Sequence, residues 1–194
     1  MKTKIPTTLI YEVKDGKPIY YKDYEKVVKG EKSIEEVMGS SFIQSLIISV
    51  IVEYLFEKID KTKYTVLFNE VGFSFGKSKR CLDIAIYLNK DLKASSLKNI
   101  YLKIPPKVVI EVDTKADLKR YSASFDFYVR EKTQDLLDAG VEKVLWFSSY
   151  DRKVLIAEKS KDWVIKPWNK DIDILDSISI NLEILLKNKK EVID

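Results

Sequence analysis

The sequence predicts an α/β or α+β fold built around one mixed β-sheet. Three observations lead there: a long helical stretch from Ser40 to Lys58, a series of short apolar strand-like runs separated by turn residues, and a second helical stretch that stops at Gly140 between two such runs. At 194 residues, with 45% hydrophobic content and 11% aromatics, the chain can bury a substantial core. Residues 1–194 therefore read as a single domain whose first part, about 1–38, is an N-terminal hairpin extension.

Taken in order, "TLIYEVKDGKPIYY" sets two β-favourable runs around Asp15-Gly16, the composition of a hairpin turn. In the helix that follows, Ser41, Ser45, Ser49, Glu53 and Glu57 recur every four residues on an otherwise apolar cylinder, which predicts a largely buried helix. "YTVLFNEVGFSF", a turn at Gly76 and "CLDIAIYL" read as an antiparallel pair, and Pro105-Pro106 leads in extended chain to "KVVIEVD". A helix is expected from about Ser124 to Ala139, where Gly140 suits its C-terminus. "KVLWFSSYDRKVLIAEKSKDWVIKPW" then supplies three strands with turns at 150–152 and 159–162.

Composition narrows the chemistry. The chain has one cysteine and no histidine, so it holds no intrachain disulfide, no histidine general base and no Cys/His metal site. Carboxylates, lysines, hydroxyls or a hard metal bound through oxygen must carry any catalysis. The apolar stretch from Phe42 to Phe56 is interrupted by Gln44, Ser45, Ser49 and Glu53, and no apolar N-terminal leader stands out, so a soluble cytoplasmic protein with no membrane partner is expected. A net charge of +4 permits nucleic-acid binding without requiring it.

Four acids stand on or beside apolar strands: Glu70, Asp83, Glu111 and Asp113. Strand side chains alternate, so Glu111 and Asp113 share a face, and Asp83 interrupts a run that otherwise reads as buried. Uncompensated buried charge is costly, and such carboxylates take a cation partner. Mg²⁺ would account for all four together, because it prefers hard oxygen ligands. Exposed edge positions or separate lysines account equally for Asp113 and Glu70. Lys132 lies about 20° from Phe125 and about 40° from Tyr128 and Leu136 on a helical wheel, a cation on the apolar stripe. It either snorkels to water or points inward to the acids.

An aspartate interrupting one strand, a glutamate on the next and a nearby lysine resemble the PD-(D/E)XK nuclease superfamily. "SSFIQSLIISVIVEYL", "CLDIAIY", "EVDT" and "REKTQDLLDAGVEKVLW" follow in the order of the Uma-two family, described as candidate restriction endonucleases, from about Tyr11 to Trp168. The resemblance implies a restriction-endonuclease-like core, with a central mixed β-sheet flanked by helices. It makes Asp83 and Glu111 the metal ligands, Glu70 the additional acid, Gln44 the counterpart of a helix histidine, and Lys132 the lysine moved onto the later helix. Leu82 stands where the family has proline, Asp113 where a strand lysine is usual, and Thr114 where serine is usual.

The implied function is Mg²⁺-dependent (or Mn²⁺-dependent) endonuclease hydrolysis of DNA, with duplex as substrate and a homodimer compatible with cutting two strands. Asp83, Glu111, Lys132, Glu70, Gln44 and Asp113 form the expected catalytic set, and Lys77, Lys79, Arg80, Lys115 and Lys119 are candidate phosphate contacts. Lys77, Lys79 and Arg80 equally suit a solvated turn. The alternative is a nuclease-fold nucleic-acid-binding or protein-interaction module without catalysis, the reading that the absent strand lysine favours.

Overall fold

The computed structural model describes residues 5–92, 99–118 and 125–193, apart from the side chains of 192 and 193. Its strands are β1 (Ile10–Lys14), β2 (Lys17–Tyr20), β3 (Tyr64–Phe75), β4 (Ser78–Leu88), β5 (Val108–Val112), β6 (Lys143–Ser148), β7 (Lys153–Glu158), β8 (Val164–Pro167), β9 (Ile172–Leu175) and β10 (Ile178–Ile180). The helices are α1 (Tyr24–Val28), α2 (Ile34–Met38), α3 (Phe42–Lys58), α4 (Phe125–Asp138) and α5 (Leu182–Ile193). The main sheet runs β2-β1-β4-β5-β6-β7-β8, with β3 also paired to β4, while β9 and β10 form a separate ribbon. All main-sheet pairings are antiparallel except β5 with β6. Those two are joined through α4, the kind of crossover a parallel pair requires. The result is an α+β fold with a large mixed central sheet flanked by helices.

Side-chain alternation on the central strands builds two cores. Ile84, Ile86, Ile110 and Leu145 face α3, whose Ile47, Ile51 and Leu55 are fully buried at four-residue spacing. Ala85, Tyr87, Val109 and Val144 face the other way, onto Leu136 and Leu137 of α4. Each fully buried aliphatic side chain contributes roughly 1.5–3 kcal/mol. The helix read as largely buried instead buries one face, since Phe42 and Phe56 are exposed. Lys189 of α5 pairs with Glu53 on its polar side.

β4 organises the site. One of its edges is taken along most of its length by β3. The other is divided: β1 holds one end through Val13 and Lys79, and β5 holds the other through Ile84, Ala85 and Ile86. Between them, Arg80 to Asp83 face no strand partner on that edge among these pairings. The N-terminal hairpin is thus a working part of the main sheet, not an extension appended to it. α1, α2 and the β9–β10 ribbon gave no periodic signal in the sequence, because helices of five residues and strands of three or four are too short to show one, whereas α5, twelve residues long, went unread although its length allows one.

Ser41 caps α3 by accepting a hydrogen bond from the Gln44 amide at 3.2 Å, and that turn presents the Gln44 side chain to the sheet. Ser41→Ala is expected to lower stability by about 1 kcal/mol, measured by urea denaturation, with an unchanged dependence on denaturant concentration.

Candidate active site

The gap along β4 is filled by side chains. A bulge in β1 turns both Tyr11 and Glu12 inward, and Glu12 Oε1 accepts from the Cys81 amide at 3.0 Å. Lys132, reaching in from α4, donates to the Cys81 carbonyl at 2.8 Å. A carboxylate and an ammonium therefore do for this peptide unit what a neighbouring strand would otherwise do.

Around that unit the charges interlock. Lys132 Nζ lies 2.8 Å from Glu12 Oε1 and 3.0 Å from Glu111 Oε1. Glu12 Oε2 accepts from the Arg80 guanidinium and from the Tyr128 hydroxyl, each at 2.8 Å. The other arm of Arg80 pairs with Asp135 of α4. Lys132 also lies 5.5 Å from the centre of the Trp146 ring. Lys132 is 1% exposed, so it points inward rather than snorkelling.

Asp83 and Glu111 stand side by side. The pairing of Ile84 with Ile110 sets Asp83 across from Glu111 one step along, on the face that α4 covers. Asp83 Oδ2 accepts from the Val112 amide at 2.8 Å, and on the opposite face Gln44 donates to the Val112 carbonyl at 2.8 Å. Sequence reasoning thus placed Asp83, Glu111, Lys132 and Gln44 in one neighbourhood, and they surround the last turn of β5.

Electrostatics separate the acids. Burial alone would raise the Glu12 carboxyl, but the charges of Lys132 and Arg80 and the hydrogen bonds it accepts hold it below the ordinary glutamate value. Burial, reinforced by the charges of Asp83 and Glu12, pushes Glu111 up to about 8 against the attraction of Lys132. Burial also raises Asp83, opposed first by the Val112 amide and then by Lys132 and Lys115. Lys132 stays firmly protonated: burial opposes its charge, and Glu111 and Glu12 more than restore it. Three buried carboxyl groups therefore face two buried cations, and with Glu111 raised to about 8 one of the three holds its proton at neutral pH.

Other expected residues lie elsewhere. Asp113 does not share the face of Glu111: β5 ends at Val112, Asp113 adopts φ +54°, and its carboxylate accepts from the Ser149 amide at 2.8 Å and hydroxyl at 2.6 Å. Glu70 sits in a bulge where Asn69 and Glu70 oppose Asp83, between the Phe68–Ile84 and Val71–Leu82 pairs. Its carboxylate meets Lys115 at 2.5 Å. Arg80 is fully buried against Glu12, so it contacts no phosphate. Lys77 and Lys79 lie at the β3–β4 hairpin, with Lys79 over the Tyr101 ring, and neither lines the cleft. Lys119 lies outside the described residues.

In front of the cluster opens a cleft of roughly 1320 Å³, floored by Gln44, Asp113, Thr114 and Lys115 and walled in part by Trp146 and Ser149. Asp83, Glu111 and Lys132 lie behind that floor rather than on it. Sequence reasoning missed Glu12 and Tyr128. Glu12 carried the same signal as Asp83, an acid between apolar strand residues, but its strand is short and is followed at once by Lys14 and Asp15, as in a solvated hairpin.

No protein-family model matches the chain, and no curated protein matches it. Among solved structures, the crystal structure of "a putative nuclease belonging to DUF820" from Anabaena variabilis is similar, with a TM-score of 0.57 and 16% identity over 75% of this chain and 78% of that one. At that identity the likeness is one of fold, and the architecture is consistent with a restriction-endonuclease-like nuclease fold.

The surplus acid has a measurable consequence in chelator. Glu111 titrates from 4.5 when unfolded to about 8 when folded, so between those values the folded chain holds more protons than the unfolded one. Its contribution to stability is full below the lower value and is lost as pH rises through the upper one. Glu111→Gln is expected to flatten that decline, read as a smaller fall in Tm between about pH 5 and about pH 9.

Proposed function

We propose that this chain hydrolyses phosphodiester bonds in duplex DNA with the help of Mg²⁺, or Mn²⁺ in its place. One observation carries the reading: Asp83 is a buried carboxylate with no cation within ion-pair distance among the described residues, set directly across from Glu111. Strongly perturbed acids gathered beside a cleft are a recognised mark of reactive sites. The nuclease description of the structural neighbour supports the same reaction class, although fold alone does not establish activity.

The donor chemistry fits a hard divalent cation. Among the described residues no three acidic or cysteine side chains form a ready-made metal cluster, but Mg²⁺ is commonly bound by one or two carboxylates together with waters and substrate phosphates. Asp83 and Glu111 would hold it, and the ion would take the place of the proton that burial keeps on Glu111. Bound there, the ion would polarise the phosphate and make a water more acidic.

The chain's own residues do the rest. Lys132 favours the ionised form of Glu111 that binding requires, while Arg80 and Tyr128 keep Glu12 charged to hold Lys132 in place. Gln44 fixes the Val112 carbonyl, and so the end of β5. In the reaction the water oxygen bonds to phosphorus, the P–O ester bond breaks, and the products are a phosphate monoester and an alcohol.

A second reading is a nucleic-acid-binding module without catalysis. It is favoured by Asp113, which occupies the expected place of a strand lysine and is committed to Ser149. Plasmid nicking separates the two. With Mg²⁺ the protein is expected to convert supercoiled DNA to open circles, and Asp83→Asn is expected to reduce the rate by about 10²-fold or more. Mg²⁺ is also expected to raise the Tm of the parent protein and not that of Asp83→Asn. Binding without nicking under any divalent cation would favour the module.

A further inference from the structure

The cluster leaves open which cation meets the substrate. An ammonium has three N–H donors, and those of Lys132 face Glu12 Oε1, Glu111 Oε1 and the Cys81 carbonyl, all within 3.0 Å. With its side chain 1% exposed, Lys132 is enclosed by these groups and does not line the cleft. Building on the nuclease reading above, we infer that Lys115 is the catalytic lysine that contacts the substrate phosphate, and that Lys132 is a positioning residue behind it.

Lys115 has what Lys132 lacks. It lines the floor of the cleft beside Gln44, Asp113 and Thr114. Its ammonium makes one ion pair among the described residues, with Glu70 Oε1, which leaves two N–H donors for an incoming anion. Its charge is also felt at Asp83.

The backbone around Lys115 is pinned on both sides. Asp113 N donates to the Phe147 carbonyl at 3.0 Å, and the Asp113 carboxylate is gripped by Ser149. The Lys115 carbonyl accepts from the Lys22 amide at 2.7 Å, and Asp117 N donates to the Tyr20 carbonyl at 2.8 Å. Between them, Ala116 N bonds Thr114 Oγ1 at 3.1 Å. A backbone held this firmly fixes where the Lys115 side chain starts, and the Glu70 carboxylate holds its ammonium at the far end.

Glu70 keeps the ammonium in reserve. It is presented by two consecutive non-glycine residues in the left-handed region, Asn69 at φ +74° and Glu70 at φ +57°, which aim this strand position at the loop instead of along the ladder. An arriving phosphate oxygen replaces the Glu70 carboxylate as acceptor, exchanging one charge-assisted bond for another.

The test compares Lys115→Met, Lys115→Arg and Glu70→Gln with the parent. It uses single-turnover cleavage of a duplex in Mg²⁺ and binding of the same duplex in Ca²⁺ across a salt series. Lys115→Met is expected to slow cleavage by about 10²-fold or more while weakening binding only several-fold. Its salt dependence is expected to correspond to one phosphate contact fewer, a slope smaller by about 0.9. Lys115→Arg is expected to restore the slope, because it retains the charge, and Glu70→Gln to tighten binding by releasing the ammonium. Lys115→Met with the cleavage rate of the parent overturns the inference and leaves the nuclease reading standing. If the parent cuts nothing, that reading fails, and the salt slope still decides: an unchanged slope in Lys115→Met, or a parent that binds no DNA, overturns the role of Lys115 as well.

Discussion

Everything at the centre of this protein depends on the backbone N–H and C=O of one residue. Cys81 lies on the stretch of β4 that neither β1 nor β5 covers, and a buried N–H and C=O left without partners would each cost about 1–3 kcal/mol. Glu12 and Lys132 meet that need, but each brings a charge into the interior, and that charge requires others: Arg80 and Tyr128 for Glu12, Glu111 for Lys132. Removing one member of such a network leaves its neighbours charged and unpaired, a loss of about 3–5 kcal/mol for a buried pair. The gap in the sheet is thus what draws Glu12, Lys132 and Glu111 together.

The network also divides labour by depth. Behind the floor of the cleft, Lys132, Arg80, Glu12 and Glu111 are buried and paired with one another. At the floor, Gln44, Thr114 and Lys115 face the open volume. Such an inner layer holds the groups in front of it in register, as the supporting groups of well-ordered sites do.

How much of this could be read from the sequence depended on whether a feature was local. The helices at α3 and α4 and the β3–β4 and β6–β7–β8 runs carry full periods of apolar spacing, and the structure places them close to where that spacing predicts. Asp83, Glu111 and Lys132 were visible because each contradicts its own apolar surroundings. Arg80 was misread because its neighbours Lys77 and Lys79 suggested a solvated turn, whereas its partner Glu12 lies 68 residues earlier. Asp113 was misread because alternation assumes a continuing strand, and one left-handed residue ends that assumption. Partnerships across the fold leave no trace in a window of a dozen residues.

The bulge in β1 has a consequence for how the chain acquires its structure. Glu12 is made before Tyr128 and Lys132, which it binds and which lie 116 or more residues downstream. While the chain emerges from the ribosome, N-terminal part first, the hairpin has no partner on α4 and must wait beside a half-built sheet. Closing so long a loop is entropically slow, and it comes after the local β3–β4 pairing can form. The acids are therefore brought together late in folding, once α4 is available to the hairpin.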